Sequence, residues 1–219
     1  MGQLVDLLTA SEDKVDLSKF NLDRYDRLFD VTLMLHHFLT THRYKTIVIN
    51  KTAIYSFYLP IAIALLLCSF PVGKKDESDP DYYKLARDIL LPLGEYFQVQ
   101  DDYLDFAGTP EQIGKVGTDI IDNKCSWCIN TALAHANTTQ RAILDANYGR
   151  KDSEAEERVK KVFREVGVDG YYEQYEVEAY ARINALIDAV PEVKSPCGEA
   201  VLRRAVFRTF LEKIYKRTK

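Results

Sequence analysis

At 219 residues, 47% of them hydrophobic and 28% charged, the chain has the length and composition of one globular domain with a substantial core. A formal net charge of −4 argues against nucleic acid as a partner, because that affinity rests on clustered Lys and Arg neutralising phosphates. The start, Met1-Gly2-Gln3-Leu4-Val5-Asp6, lacks the basic segment and cleavage pattern of a signal peptide, and Asp6 stands where a myristoylation signal carries Ser or Thr.

The dominant period is helical. Residues 2–8 read as a short helix that ends before a turn-rich stretch, 9–16. From Lys45 to Phe70 apolar and aromatic residues run nearly all round the helix. The charge-free part, 52–73, is long enough to cross a bilayer, which takes roughly 20 residues. Pro60 in its middle, several Tyr and Ser groups and the lack of a second span favour instead a helix buried on all sides of an all-α core, with no membrane span. A charged loop at 72–81 leads into a long helix from about Pro80 to Asp105 or Phe106, broken by Gly108-Thr109-Pro110. A glycine-bearing loop, 113–117, then brings Thr118 to the N-cap of a helix expected over 119–136. Further helices are expected over 139–148, 153–166, 170–189 and 198–215. With no strand alternation and no repeat, the fold class is all-α. Cys68, Cys125, Cys128 and Cys197 do not form a disulfide framework and suit a reducing cytosol. The lone CxxC at Cys125 and Cys128 reads as two small apolar positions on a helix rather than a zinc site.

The chemistry gathers at Gln98, Asp101, Asp102 and Asp105. In a helix these fall at i, i+3, i+4 and i+7, one face, while Tyr96, Phe97, Val99 and Leu104 make the other face apolar. Three carboxylates on one face raise each other's pKa unless a cation intervenes. Mg²⁺ suits them, since it takes one or two carboxylates and completes its shell with water and substrate phosphates. Spacing alone leaves an acidic surface stripe equally open. Lys115 and Lys124, flanking Asp119 and Asp122, supply what a metal-bound diphosphate needs on its other side. Lys51-Thr52 opens the most apolar helix, an odd place for a charge unless an anion meets it.

Four segments resemble the trans-isoprenyl diphosphate synthases, and closely the eukaryotic farnesyl diphosphate synthases: 2–10, 51–60, 96–105 and 114–127. The basic end, Tyr215-Lys216-Arg217-Thr218-Lys219, matches as well. The resemblance implies an isoprenoid-synthase-type helical bundle and Mg²⁺-dependent prenyl transfer, joining an allylic diphosphate (dimethylallyl or geranyl) to isopentenyl diphosphate. It implies that Asp101, Asp102 and Asp105 form the second aspartate-rich motif, with Asp101 the foremost metal ligand and Asp119, Asp6 and Gln3 near the metals. Lys51 and Lys115 meet the allylic diphosphate; Thr52, Tyr55 and Gln98 line the region of the allylic cation. Lys216, Arg217 and Lys219 close over the acceptor diphosphate. The family's pyrophosphate takes the proton, so His36, His37, His42 and His135 form no catalytic set. A cytoplasmic protein, homodimeric or paired with a complete synthase, is the matching expectation.

Two departures qualify the resemblance. The family's earlier aspartate-rich motif lies upstream of the match at Gly2, so the part of the family that carries it is not in this sequence. Within the single domain expected over 1–219, residues 26–43 have no counterpart in the family and read as a retained intron or a late insertion; Ile121 also stands where the family favours Gln. Besides prenyl transfer, two readings therefore stay open: a Mg²⁺-dependent terpene cyclase or prenyl diphosphate lyase, and a non-catalytic partner of a complete synthase.

Overall fold

The computed structural model describes residues 15–17, 43–74, 76–114, 116–195 and 198–217. Residues 1–14, with the whole of the helix expected over 2–8, and the insertion up to residue 42 lie outside them. The described chain is helical: α1 (Arg43–Val48), a π-helix π1 (Ile49–Tyr58), α2 (Leu59–Leu67), α3 (Tyr82–Ala107), α4 (Pro110–Ile113), α5 (Trp127–His135), α6 (Thr138–Asn147), α7 (Ser153–Val166), α8 (Val168–Asp188) and α9 (Arg204–Ile214). Among the described residues β-structure is confined to one isolated bridge, Lys194 with Val201. Two compact units result. The first contains the stretch ending at Val48 and Gln98–Glu173; the second contains Ile49–Phe97 and Gln174–Arg217. Helices α3 and α8 each contribute one part to either unit.

In the first unit, α7 shows how local chemistry sets an element. Asp152 caps its start by accepting from the backbone N–H groups of Glu154 and Ala155, and Gly167, at φ 82°, ends it in the left-handed conformation. Ala155, Val159, Val162 and Phe163 form its buried stripe, which faces α5 and α6. Helix α6 begins with a reciprocal capping box between Asn137 and Gln140. Helix α5 starts later than the sequence suggests. Its cap is Ser126, not Thr118, and residues 118–126 form turns and loop instead of two helical turns.

The second unit is built on an aliphatic and aromatic core. Ile89, Leu90, Leu93 and Tyr96 of α3 meet Ile183 and Ile187 of α8 and Phe207 and Leu211 of α9. Each such fully buried side chain contributes about 2 kcal/mol of transfer free energy. Pro92 removes one hydrogen bond inside α3, yet the helix continues through it, pinned by this apolar face. Gly94 lets π1 approach α3 closely, since a Cβ there would lie 2.5 Å from the Ala53 Cα.

The apolar run from Tyr44 is not buried on all sides, and that expectation is corrected. The run Tyr44–Leu67 is long and apolar enough to cross a membrane, but only 28% of its most apolar window is buried. Phe57 and Leu65 turn inward, while Leu59, Ile63, Leu66 and Leu67 are exposed. An all-round apolar sequence states that cover is tolerated, not that cover is present.

Candidate active site

The carboxylate helix ends α3, and its acidic residues do not share one environment. Asp102 is turned into the packing of the first unit, 6% exposed. Its Oδ2 accepts from the Tyr44 hydroxyl at 2.9 Å and from the Trp127 backbone N–H at 2.7 Å. Its Oδ1 accepts from Gln98 Nε2 at 2.9 Å, one helical turn earlier. Burial pushes this carboxyl up to about 7 from 3.8; the three hydrogen bonds pull it down, and neighbouring Asp101 adds to the rise. The Cys128 thiol donates to the Asp102 carbonyl at 3.5 Å and is itself pushed well up by burial, so it is an unreactive packing group. Cys125, also buried, lies just ahead of α5, so only the second cysteine of the pair is helical.

Asp105, also buried, accepts from the Asp119 backbone N–H through Oδ2 at 2.9 Å. Asp101 is half-buried, one turn before Asp105 on the same face. Against this face lies Gly117. A Cβ there would sit 2.0 Å from the Asp105 carbonyl oxygen and 3.0 Å from its Oδ2, so only glycine fits. The loop that follows turns tightly, with Asp122 N–H donating to Thr118 O and Lys124 N–H to Asp119 O, both at 2.9 Å. Tyr103 points the other way, stacked on Tyr172 at 3.8 Å and donating to Asp169 at 3.0 Å.

Lys51, Thr52, Tyr55, Lys216 and Arg217 belong to the second unit. Thr52 is buried and Lys51 half-buried on π1, whereas Tyr55 is 64% exposed. The two cations of the tail lie on aromatic rings: Lys216 Nζ is 5.3 Å from the Tyr215 ring centre, and Arg217 Cζ is 4.1 Å from that of Phe97. Phe97 in turn packs on Phe57 with centroids 5.4 Å apart. Gln3, Asp6, Lys115 and Lys219 lie outside the described residues. The structure thus joins Gln98 to Asp102 and Asp119 to Asp105. Tyr44, Trp127 and Gly117 emerge as their partners, and only Gly117, in its glycine-bearing loop, leaves a trace in the sequence.

The donor set around Asp101 and Asp105 consists of hard oxygens. Among the described residues no group of three or more His, Cys, Asp or Glu side chains forms a complete metal cage. A few carboxylates with open coordination suit Mg²⁺, which keeps waters and takes phosphate oxygens from its substrate.

A polyprenyl synthetase family model matches residues 1–166. The chain belongs to the polyprenyl synthetase family. Among its relatives are the farnesyl pyrophosphate synthases of Ganoderma lucidum, 52% identical over all of this chain and 55% of that one, and of Saccharomyces cerevisiae, 48% identical over all of this chain and 53% of that one. The solved structure of T. brucei farnesyl diphosphate synthase complexed with risedronate superposes with a TM-score of 0.72 at 33% identity, covering the whole chain and 55% of that protein. The chain therefore has the all-α isoprenoid synthase fold, and it spans about half the length of these polyprenyl synthetase relatives.

Proposed function

We propose that the chain is a Mg²⁺-dependent prenyltransferase of the farnesyl diphosphate synthase type in isoprenoid biosynthesis, joining dimethylallyl or geranyl diphosphate to isopentenyl diphosphate. The observation that carries this reading is the carboxylate face of α3, closed by a loop whose Gly117 admits no side chain against Asp105. When bound, Mg²⁺ would neutralise the charge that builds on the departing pyrophosphate. Asp101 leads the protein's ligands, with Asp105 and Asp119 beside it and Asp6 and Gln3 nearby. Asp102, whose oxygens already accept three hydrogen bonds, braces the helix. Lys51, Lys115 and Lys124 supply cations for the allylic diphosphate, and Lys216, Arg217 and Lys219 for the acceptor diphosphate. The oxygens of Thr52, Tyr55 and Gln98 stabilise the allylic cation, and apolar walls keep water from it.

The same reading places the chain in the cytoplasm, as a homodimer or beside a complete synthase. It takes Tyr44–Leu67 as a packing helix, because Lys51, Tyr55, Ser56 and Pro60 interrupt its apolar surface. The test is incubation with Mg²⁺ and geranyl diphosphate, with and without isopentenyl diphosphate, followed by assay of pyrophosphate and products. A chain-extended product is expected. Acceptor-independent pyrophosphate release would assign a cyclase or lyase instead, and silence in both arms a non-catalytic partner.

A further inference from the structure

The loop 117–124 carries Asp119 and Lys124; Ile120 and Asn123 are buried within it, while Thr118 is exposed. Besides its bond to Asp105 and its own turn hydrogen bonds, the loop is held from the far end of α6. Tyr148 is fully buried, and its hydroxyl donates to the Lys124 carbonyl at 2.7 Å, with the Asp119 carbonyl 3.3 Å away. Burial keeps this phenol protonated, and so a donor. Ser126 caps α5, whose first residue, Trp127, donates to Asp102. Next along, Gly149 N–H donates to the Ile120 carbonyl at 2.9 Å. Gly149 (φ 70°) is pressed against Asn123 (φ 53°): a Cβ on the glycine would lie 2.8 Å from the Asn123 Cβ. One phenol thus meets both ends of the turn, two residues before the cap of the helix that braces the carboxylates.

We infer that Tyr148 is a positioning residue for metal–diphosphate binding, holding the Asp119–Lys124 turn in register with Asp105 without touching the ligand. This rests on the proposed function, in which Asp119 and Lys124 serve the diphosphate. Tyr148→Phe keeps the buried ring and removes only the hydroxyl. Tyr82→Phe is the matched control: Tyr82 is equally buried in the second unit, and its hydroxyl meets one backbone carbonyl, that of Lys194, at 3.3 Å.

Two measurements test the inference. In the first, Mn²⁺ with inorganic pyrophosphate is titrated into the parent chain and both variants, with helicity checked by circular dichroism. Tyr148→Phe is expected to weaken binding roughly tenfold while Tyr82→Phe stays within about twofold. Parent-like binding by Tyr148→Phe, or equal weakening by both, overturns the inference; no binding by the parent overturns the diphosphate reading. The second needs no ligand. Amide hydrogen exchange across 118–124 is expected to quicken in Tyr148→Phe alone, and unchanged exchange there overturns the inference whatever the first measurement shows.

Discussion

Buried polar side chains gather in one unit of the molecule. Gln100, Asp102, Asp105, Asn123, Ser126, Asn130 and Thr131 all lie in the stretch Gln98–Glu173, while among the described residues the second unit buries only Thr52 and Ser195. The second unit is held by aromatic and aliphatic contact and leaves an apolar helix face open. The first takes polar groups out of water and holds the Asp102 and Asp105 carboxyls with named hydrogen bonds, an arrangement that fixes geometry tightly and fails sharply when one partner is lost. Chemistry that depends on carboxylate oxygens at set positions suits the first kind of packing. Bulk and apolar cover belong to the second.

The comparison is broken most directly at the two glycines. Gly117→Val drives a side chain into Asp105 and is expected to abolish detectable Mn²⁺–pyrophosphate binding while leaving helicity intact, as titration and circular dichroism would show. Gly94→Val wedges π1 from α3 and is expected to cost about 3 kcal/mol of stability in a denaturant melt, without this selective loss of binding per folded molecule. Equal effects of the two on binding would erase the distinction between the units.

Asp102 sharpens it through pH. Its folded pKa, about 7, lies above the ordinary 3.8, so between those values the folded state holds a proton that the unfolded state has released. Stability must then fall as pH rises through that window, by up to about 1.4 kcal/mol per pH unit. Asp102→Asn, with the Gln98 amide turned to present its oxygen, is expected to remove that slope between about pH 4 and pH 7 in chemical melts. A slope unchanged by the substitution would place the proton elsewhere. A smaller effect belongs to the second unit, where Arg217→Ala removes the cation from the Phe97 ring and is expected to lower stability by about 0.5–1 kcal/mol in the same melts.

Much of this architecture is legible in the sequence because the residues that set it are near neighbours. Helix Ser153–Val166 is readable to the residue, since its apolar stripe, the Asp152 cap and the Gly167 stop all lie within it or beside it. That Gln98, Asp101, Asp102 and Asp105 lie on one helix is readable from spacing, but spacing alone does not tell a site from an acidic surface stripe. The turn at 118–126 is not readable, because what holds it out of helix includes Tyr148 and Gly149, far along the chain, and Thr118 offers a capping residue type without the capping contact. The division of labour among the carboxylates escapes for the same reason. Nothing in Asp101-Asp102 states that Tyr44 and Trp127 take the second and leave the first half-buried.

The central claim is that the α3 carboxylate face binds a metal-bound diphosphate through Asp101. Titrating Mn²⁺ with pyrophosphate into the parent chain and into Asp101→Asn, each verified as folded, tests it most directly. The expected result is saturable binding by the parent and at least a roughly tenfold weakening in the variant. Equal affinity in the two would contradict the claim.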